Sequence, residues 1–264
     1  ILSYILLLAY SFGLIFFIYK STFFSSKVIS NKSLSILLFF KICVGILYIF
    51  INKNYVLGGD IFHYLDDANV AFSQIKENPS LYFKLVFTPN NHTLPSDLNH
   101  PIYEMGFWQD TGSYMVVRFN AIIRLISFGN IYINGLFASF FSFVGCLLIA
   151  KVFENYLKPN ILVSLSIFLS PSLLFWTSGV HKEFLSVFAL GLILYHFFKL
   201  SKRFNLPINI IGFITGLVLF FFTRNYMLLA LIPSLLAFSI HKIFKIQFVN
   251  RKTIWHYKNA LNNT

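Results

Sequence analysis

Acid is scarce in this sequence, and what there is sits in one place. Only nine of the 264 residues are Asp or Glu, and seven of those (Asp60, Asp66, Asp67, Glu77, Asp97, Glu104 and Asp110) fall between Asn52 and Val117. Charge of both signs together makes up 11% of the chain while 57% is apolar; a soluble domain carries about a quarter charged residues. An ordinary water-soluble domain is thereby excluded. The two cysteines, Cys43 and Cys146, lie inside apolar runs without a ligand-spaced partner, which excludes a disulfide framework and a thiolate metal site. There is no internal repeat and no linker rich in Pro, Gly or Ser, so residues 1–264 read as a single integral membrane domain. The first apolar run lacks a basic leader and a small-residue cleavage site, and so reads as a span and not as a signal peptide. Because the chain opens on Ile1 with no Met, it is expected to be a piece of a longer protein.

Seven apolar stretches are long enough to cross, or nearly cross, a hydrocarbon layer of about 30 Å: 1–19, 33–51, 131–149, 161–176, 184–198, 206–222 and 226–240. The expected fold is therefore all-α, a polytopic transmembrane helical bundle. Lys and Arg alternate between the intervening loops, with Lys20, Lys27 and Lys32 after the first span, Lys151 and Lys158 after the third, Lys199, Lys202 and Arg203 after the fifth, and Lys242, Lys245, Arg251, Lys252 and Lys258 after the seventh. Loops dense in Lys and Arg face the cytoplasm, so the acidic segment 52–130 is expected to be a large extracytoplasmic loop holding the candidate active site. Topology and anionic lipid account for the net charge of +12. No basic, aromatic-interleaved soluble domain is present, and a nucleic-acid partner is not expected.

The acidic segment opens with GGDIFHYLDDANVAFSQIKEN. As a helix from Asp60 it places Asp60, His63, Tyr64 and Asp67 on one face at i, i+3, i+4 and i+7. Asp60 follows Gly58-Gly59 and could equally cap that helix. Asp66 and Asp67, being adjacent, cannot both lie at the centre of one face. Residues 112–128 are apolar, with Asn120, Arg124 and Ser127 recurring on one helical face, a pattern that suits a helix lying in the outer interface; Gly129-Asn130 supplies the turn into the next span.

A second cluster, PSLLFWTSGVHKEF, joins two spans. His181, Lys182 and Glu183 crowd a turn too short to need them for solubility, although a snorkelling Lys and a Glu at a helix N-terminus would explain two of them. Arg224, in FFTRNYM, is either an interfacial Arg or a guanidinium placed for a lipid phosphate. Lys41 stands mid-span, where charge is a functional suspect by default. The spacing of His63, His92 and His100 matches no metal motif; a divalent cation held by Asp60, His63 and Asp67 is kept as an alternative. Asn91-His92-Thr93 fits the N-glycosylation pattern.

This arrangement resembles the GT-C membrane glycosyltransferases, the superfamily of protein mannosyltransferases and aminoarabinose transferases. The likeness rests on Asp60 and Tyr64 in GGDIFHY, the Asp66-Asp67 pair, the surface helix before Ile131 and the 171–183 span end. The acidic loop follows the second span here, where that superfamily has it after the first. The resemblance implies a polyprenyl-phosphate-linked sugar as donor, a glycan, lipid or protein as acceptor, and transfer at the outer face of a bacterial cytoplasmic membrane. Asp60, or else Asp67, would act as general base. His63, Tyr64, His181, Lys182, Glu183 and Arg224 would bind substrate, with Lys182, Arg224 and His181 on the departing phosphate. A polysaccharide polymerase acting on lipid-linked repeats, a transporter or flippase, and a noncatalytic scaffold are the competing readings.

Overall fold

The computed structural model describes residues 2–56, 59–89, 99–156, 161–202 and 206–261, with side chains for all of these except 99, 100, 156 and 243–261. Gly58, the Asn91–Thr93 sequon, Asp97, Lys158 and Arg203 lie outside the described residues. Among the described residues every regular element is helical: α1 (Leu2–Lys20), α2 (Asn31–Ile51), α3 (Asp60–Glu77), α4 (Pro79–Phe87), α5 (Asn99–Tyr103), α6 (Thr111–Ser127), α7 (Ile131–Tyr156), α8 (Ile161–Leu169), α9 (Pro171–Trp176), α10 (Lys182–Ser201) and α11 (Leu206–Leu261). Five helical stretches are long and apolar enough to cross a bilayer: Leu2–Lys20, Asn31–Val56, Ile131–Asn155, Lys182–Ser201 and Leu206–Lys242. They mark a membrane protein.

Seven predicted spans become five for two reasons. Stretch 161–176 is not one helix but two short ones, α8 and α9, because Pro171 has no N–H to donate and turns Ser170 out of helical geometry (ψ 118°). The last two predicted spans lie in the single apolar stretch Leu206–Lys242, but as two helices that meet where the backbone leaves helical geometry at Arg224 (φ −148°, ψ 62°), inside the predicted Thr223–Asn225 turn. The chain divides there into two compact units, Ile1–Thr223 and Arg224–Thr264. The second is a helix with Pro233 inside it and Tyr226, Leu229, Ile232, Leu236 and Ile240 exposed.

In the first unit α7 is the central helix and packs on α1, α2, α6, α8 and α10. Between apolar helices in lipid there is no water to expel, so contact depends on close van der Waals fit and small residues. Gly145 of α7 and Gly191 of α10 provide it: a Cβ on Gly145 would meet the Val187 carbonyl at 2.5 Å, and one on Gly191 would meet the Gly145 carbonyl at 2.5 Å. Gly145→Val is accordingly expected to lower stability by about 1–3 kcal/mol, seen as a depressed thermal transition in detergent. Gly13→Val, where a Cβ meets nothing within 4 Å, should stay near wild type. At the end of the bundle where α7 finishes, buried Glu154 accepts from Ser26 Oγ (2.5 Å), the Lys27 amide (3.0 Å) and Ser164 Oγ (3.3 Å), tying the α1–α2 connection to α7 and α8.

At the opposite end, the segment between α2 and α7 is folded into α3, α4, α5 and α6. Its core contains Ile61, Tyr64, Ala68 and Ala71 of α3, Leu81, Tyr82 and Leu85 of α4, and Tyr114, Val117 and Ala121 of α6, joined to Tyr48, Val180 and Phe184 from the spans. α3 begins at Asp60, where the sequence places it, but its packed stripe differs from the predicted one. Ile61, Tyr64, Asp67, Ala68 and Ala71 are buried, whereas Asp60 and His63 are exposed. Two of the residues predicted to share a polar face are thus turned into the core. On α6 the predicted polar face also points inward, with Asn120 and Ser127 buried.

Candidate functional site

Asp60 stands at the first turn of α3, yet it does not cap the helix. Gly59 occupies the cap position, no side-chain cap bond forms, and the Asp60 side chain is exposed. Its charge is felt by Tyr48 on α2, Tyr64 on α3 and His181 at the start of α10, and Glu183 acts on the same three groups. Asp60 and Glu183, 123 positions apart in sequence, thus act electrostatically on one aromatic cluster. Within it Tyr48 Oη is hydrogen-bonded to His181 Nε2. The His181 ring packs edge-on against Tyr48 (centroids 5.5 Å apart) and Tyr64 (6.3 Å). Burial pushes the Tyr64 phenol above its usual range, opposed by its contact with Ser113 and reinforced by Asp60, Asp110 and Glu183.

Lys182, the first residue of α10, reaches across to α6. Its Nζ donates to Asp110 Oδ2 at 2.9 Å, with Lys182 one-quarter and Asp110 one-half exposed. Asp110 is the cap of α6: Oδ1 accepts from the Gly112 amide (3.0 Å) and Oδ2 from Ser113 Oγ (2.6 Å), while Tyr64 Oη lies 3.5 Å from Ser113 Oγ. Burial works to raise the Asp110 carboxyl, but the bonds from Ser113 and Lys182 hold it down at about 2. Between this value and the ordinary 3.8 the pair loses its stabilisation as pH falls; above that window the contribution is complete. At this exposure the pair is worth little in stability. Its consequence is geometric, since an ammonium carries three donors and the one that Asp110 takes fixes Lys182 Nζ beside the start of α6.

His181 is pushed below its ordinary 6.5, first by burial and also by Lys182, with Glu183 and Asp60 opposing. A histidine that resists protonation when folded makes the folded state bind fewer protons than the unfolded one, so stability falls as pH drops below about 6.5. The transition temperature of the wild type is expected to decline from pH 7.5 to 5.5 more steeply than that of His181→Gln, measured by nanoscale differential scanning fluorimetry. Parallel slopes would contradict the placement of a half-buried His181 that resists protonation.

The other predicted residues are placed elsewhere. Asp67 is 4% exposed and its two oxygens accept the amides of Gly106 (3.0 Å) and Phe107 (2.8 Å), so it staples the segment before α6 onto α3. Burial raises its carboxyl despite those bonds. His63 is exposed, its ring 6.4 Å from that of Phe107. Among the described residues no three His, Cys, Asp or Glu side chains gather as a metal would require, and with Asp67 committed to the backbone, Asp60, His63 and Asp67 do not form the divalent site kept as an alternative. Arg224 belongs to the second unit, where its Nη1 donates to Tyr226 Oη at 2.7 Å.

Sequence reasoning missed Tyr48, Asp110 and Ser113. The D-T-G-S run at 110–113 was a usable signal, because an Asp with a Ser three residues on just before an apolar periodic stretch marks a helix start. Tyr48 carried none: in an apolar span a tyrosine reads as interfacial. The chain matches no family model, no curated protein and no solved structure. Fold and site together define a polytopic helical membrane protein with an ionisable cluster where its spans meet a helical cap.

Proposed function

We propose that the protein is a glycosyltransferase that moves a sugar from a polyprenyl-phosphate donor to an acceptor hydroxyl at the outer face of the membrane. The observation that carries this reading is the packing of Tyr64 of α3 against His181 and the chain of contacts Lys182–Asp110–Ser113–Tyr64, which bring α3, α6 and the α9–α10 turn together at one end of the bundle. The opposite end carries Lys20, Lys27, Lys32, Lys151 and Lys199, which orients that end to the cytoplasm and the cluster outward. Asp60, exposed and not used as a cap, takes the proton of the acceptor hydroxyl as its oxygen attacks the anomeric carbon. The bond from that carbon to the phosphate oxygen breaks, and the lipid phosphate leaves with the electron pair. Lys182, oriented by Asp110, and the N-terminal amides of α10 meet the charge that develops there. Attack opposite the leaving group inverts the anomeric centre.

A transporter is the second reading, favoured by the break between α8 and α9 at Pro171 and by Lys41, which is 3% exposed; interrupted helices and intramembrane charge are the marks of that class. Purified protein in liposomes with radiolabelled polyprenyl-phosphate sugar and a panel of acceptors separates the two. Release of polyprenyl phosphate with formation of a glycoside supports transfer, and a ladder of products supports polymerisation. Movement of labelled lipid between leaflets with no chemical change would establish transport and overturn the proposal.

A further inference from the structure

α6 is apolar on its outward side near its C-terminus, and its packed side mixes Tyr114, Val117, Ala121 and Ile123 with polar residues. Ser113, Asn120 and Ser127 on its inner side are essentially inaccessible, while Ile122, Leu125, Ile126 and Phe128 are 42%, 49%, 39% and 76% exposed. Ser113 and Asn120 bond within the protein, while the Ser127 hydroxyl is buried with no hydrogen-bond partner. Asn120 accepts from Asn134 of α7 at 2.7 Å and donates to the Val116 carbonyl at 2.9 Å, and the Arg124 guanidinium lies over the Phe72 ring at 5.3 Å. A surface helix of a water-soluble protein carries polar residues on its outward face instead.

The depth of α6 is fixed by α1. Tyr10 Oη donates to the Ile126 carbonyl at 3.2 Å. At roughly 1.5 Å per residue Tyr10 lies about 12 Å along α1 from Leu2, and its neighbours Leu8 and Phe12 are exposed on that span. The C-terminal end of α6 therefore meets the body of a spanning helix at Ile126.

Backbone in hydrocarbon must satisfy itself, and two amides of the turn that follows α6 are paired within it. The Phe128 amide donates to Arg124 O (3.1 Å) and the Asn130 amide to Ser127 O (3.0 Å), while Asn130 Oδ1 accepts from the Tyr132 amide (2.8 Å). Phe128 and Gly129 take left-handed φ values of 51° and 80°, and a Cβ at Gly129 would come within 2.7 Å of Arg124 Nη1. The guanidinium thus lies over the turn, and a φ of 80° at Gly129 is one that other residues rarely adopt.

We infer that α6 is inserted among the acyl chains of the leaflet on the side of the candidate site, with Ile122, Leu125, Ile126 and Phe128 against lipid, so that α6 and α7 form a re-entrant hairpin. This departs from the helix lying flat in the interface that the sequence predicts. The partner of the face is the hydrocarbon of the bilayer itself. It does not depend on the reaction proposed above.

The test is a nitroxide scan of the whole chain in liposomes on a Cys43→Ser background; Cys146, being buried, should stay unlabelled. Labels at Ile122→Cys, Leu125→Cys and Ile126→Cys are expected to collide with oxygen severalfold more than with a water-soluble nickel chelate. A label at Glu77→Cys, exposed at the end of α3, should show the opposite ratio. These positions are partly exposed, and an unchanged melting profile verifies the fold of each variant. Preference for the nickel chelate at 122, 125 and 126 would place the face in water. An immobile label reached by neither probe would place it against a second protein surface, and either result overturns the inference.

Discussion

Asp60→Asn is expected to reduce sugar transfer by about 10²–10⁴, the range for loss of a general base, while leaving the thermal transition within about 1 kcal/mol of wild type. The two readouts are predicted to separate because Asp60 makes no cap bond and its side chain is exposed; substituting it removes a charge from the cluster and no packing. Asp67→Asn should show the opposite separation. Both Asp67 oxygens are engaged by backbone amides beneath the cap, so its loss should appear in the transition temperature, with activity changing only as far as folding does. The paired variants, measured side by side for donor consumption and melting, distinguish the two acidic residues that the sequence leaves as rival bases. Near-normal turnover in Asp60→Asn would remove it from the mechanism.

Thr177→Val is expected to cost about 1–3 kcal/mol, the penalty for a buried polar group stripped of its partner. Lys41 Nζ donates to Thr177 Oγ1 at 2.7 Å, with both residues under 4% exposed. The same turn is held from α7, where Ser142 donates to the Thr177 carbonyl at 2.7 Å and Ser139 to the Ser178 carbonyl at 2.9 Å. Replacing both members of a buried pair by apolar groups can be nearly neutral where breaking one side is not. Lys41→Met/Thr177→Val should therefore melt closer to wild type than Thr177→Val alone. A double variant whose loss equals the sum of the single losses would show that the two side chains do not act together. Since His181 and Lys182 follow this turn directly, the mid-span lysine that looks isolated in the sequence is joined to the candidate site through α9.

Helical periodicity and charge carried the sequence reading a long way. The start of α3 at Asp60 and the end of α6 at Ser127 follow from breakers and apolar spacing, both local signals. Asp60, Tyr64, His181, Lys182 and Glu183 stand out in the sequence as candidates because ionisable groups are costly near lipid, whereas the packing of Tyr64 against His181 was not legible there. What was not legible depends on contacts distant in sequence. Asp67 is a staple because the amides of Gly106 and Phe107 happen to need acceptors, and periodicity placed it with Asp60 regardless. The polar stripe of α6 suggested a wet face, but a stripe alone does not say whether water or protein receives it; Asn134 on α7 does. Pro171 was visible in the sequence as a potential break, yet only its place inside a stretch of marginal length turned one predicted span into two short helices.

The measurement that bears most directly on the central claim is where a lipid phosphate binds. Polyprenyl phosphate carrying a photoreactive group beside its phosphate would be irradiated with the purified protein in nanodiscs and the adducts mapped by peptide mass spectrometry. Adducts are predicted on 60–64, 110–113 and 181–183, competed by unlabelled polyprenyl phosphate and weakened in Lys182→Met. Adducts confined to the opposite end, around Lys20, Lys27, Lys151 and Lys199, or labelling that no competitor displaces, would contradict the account.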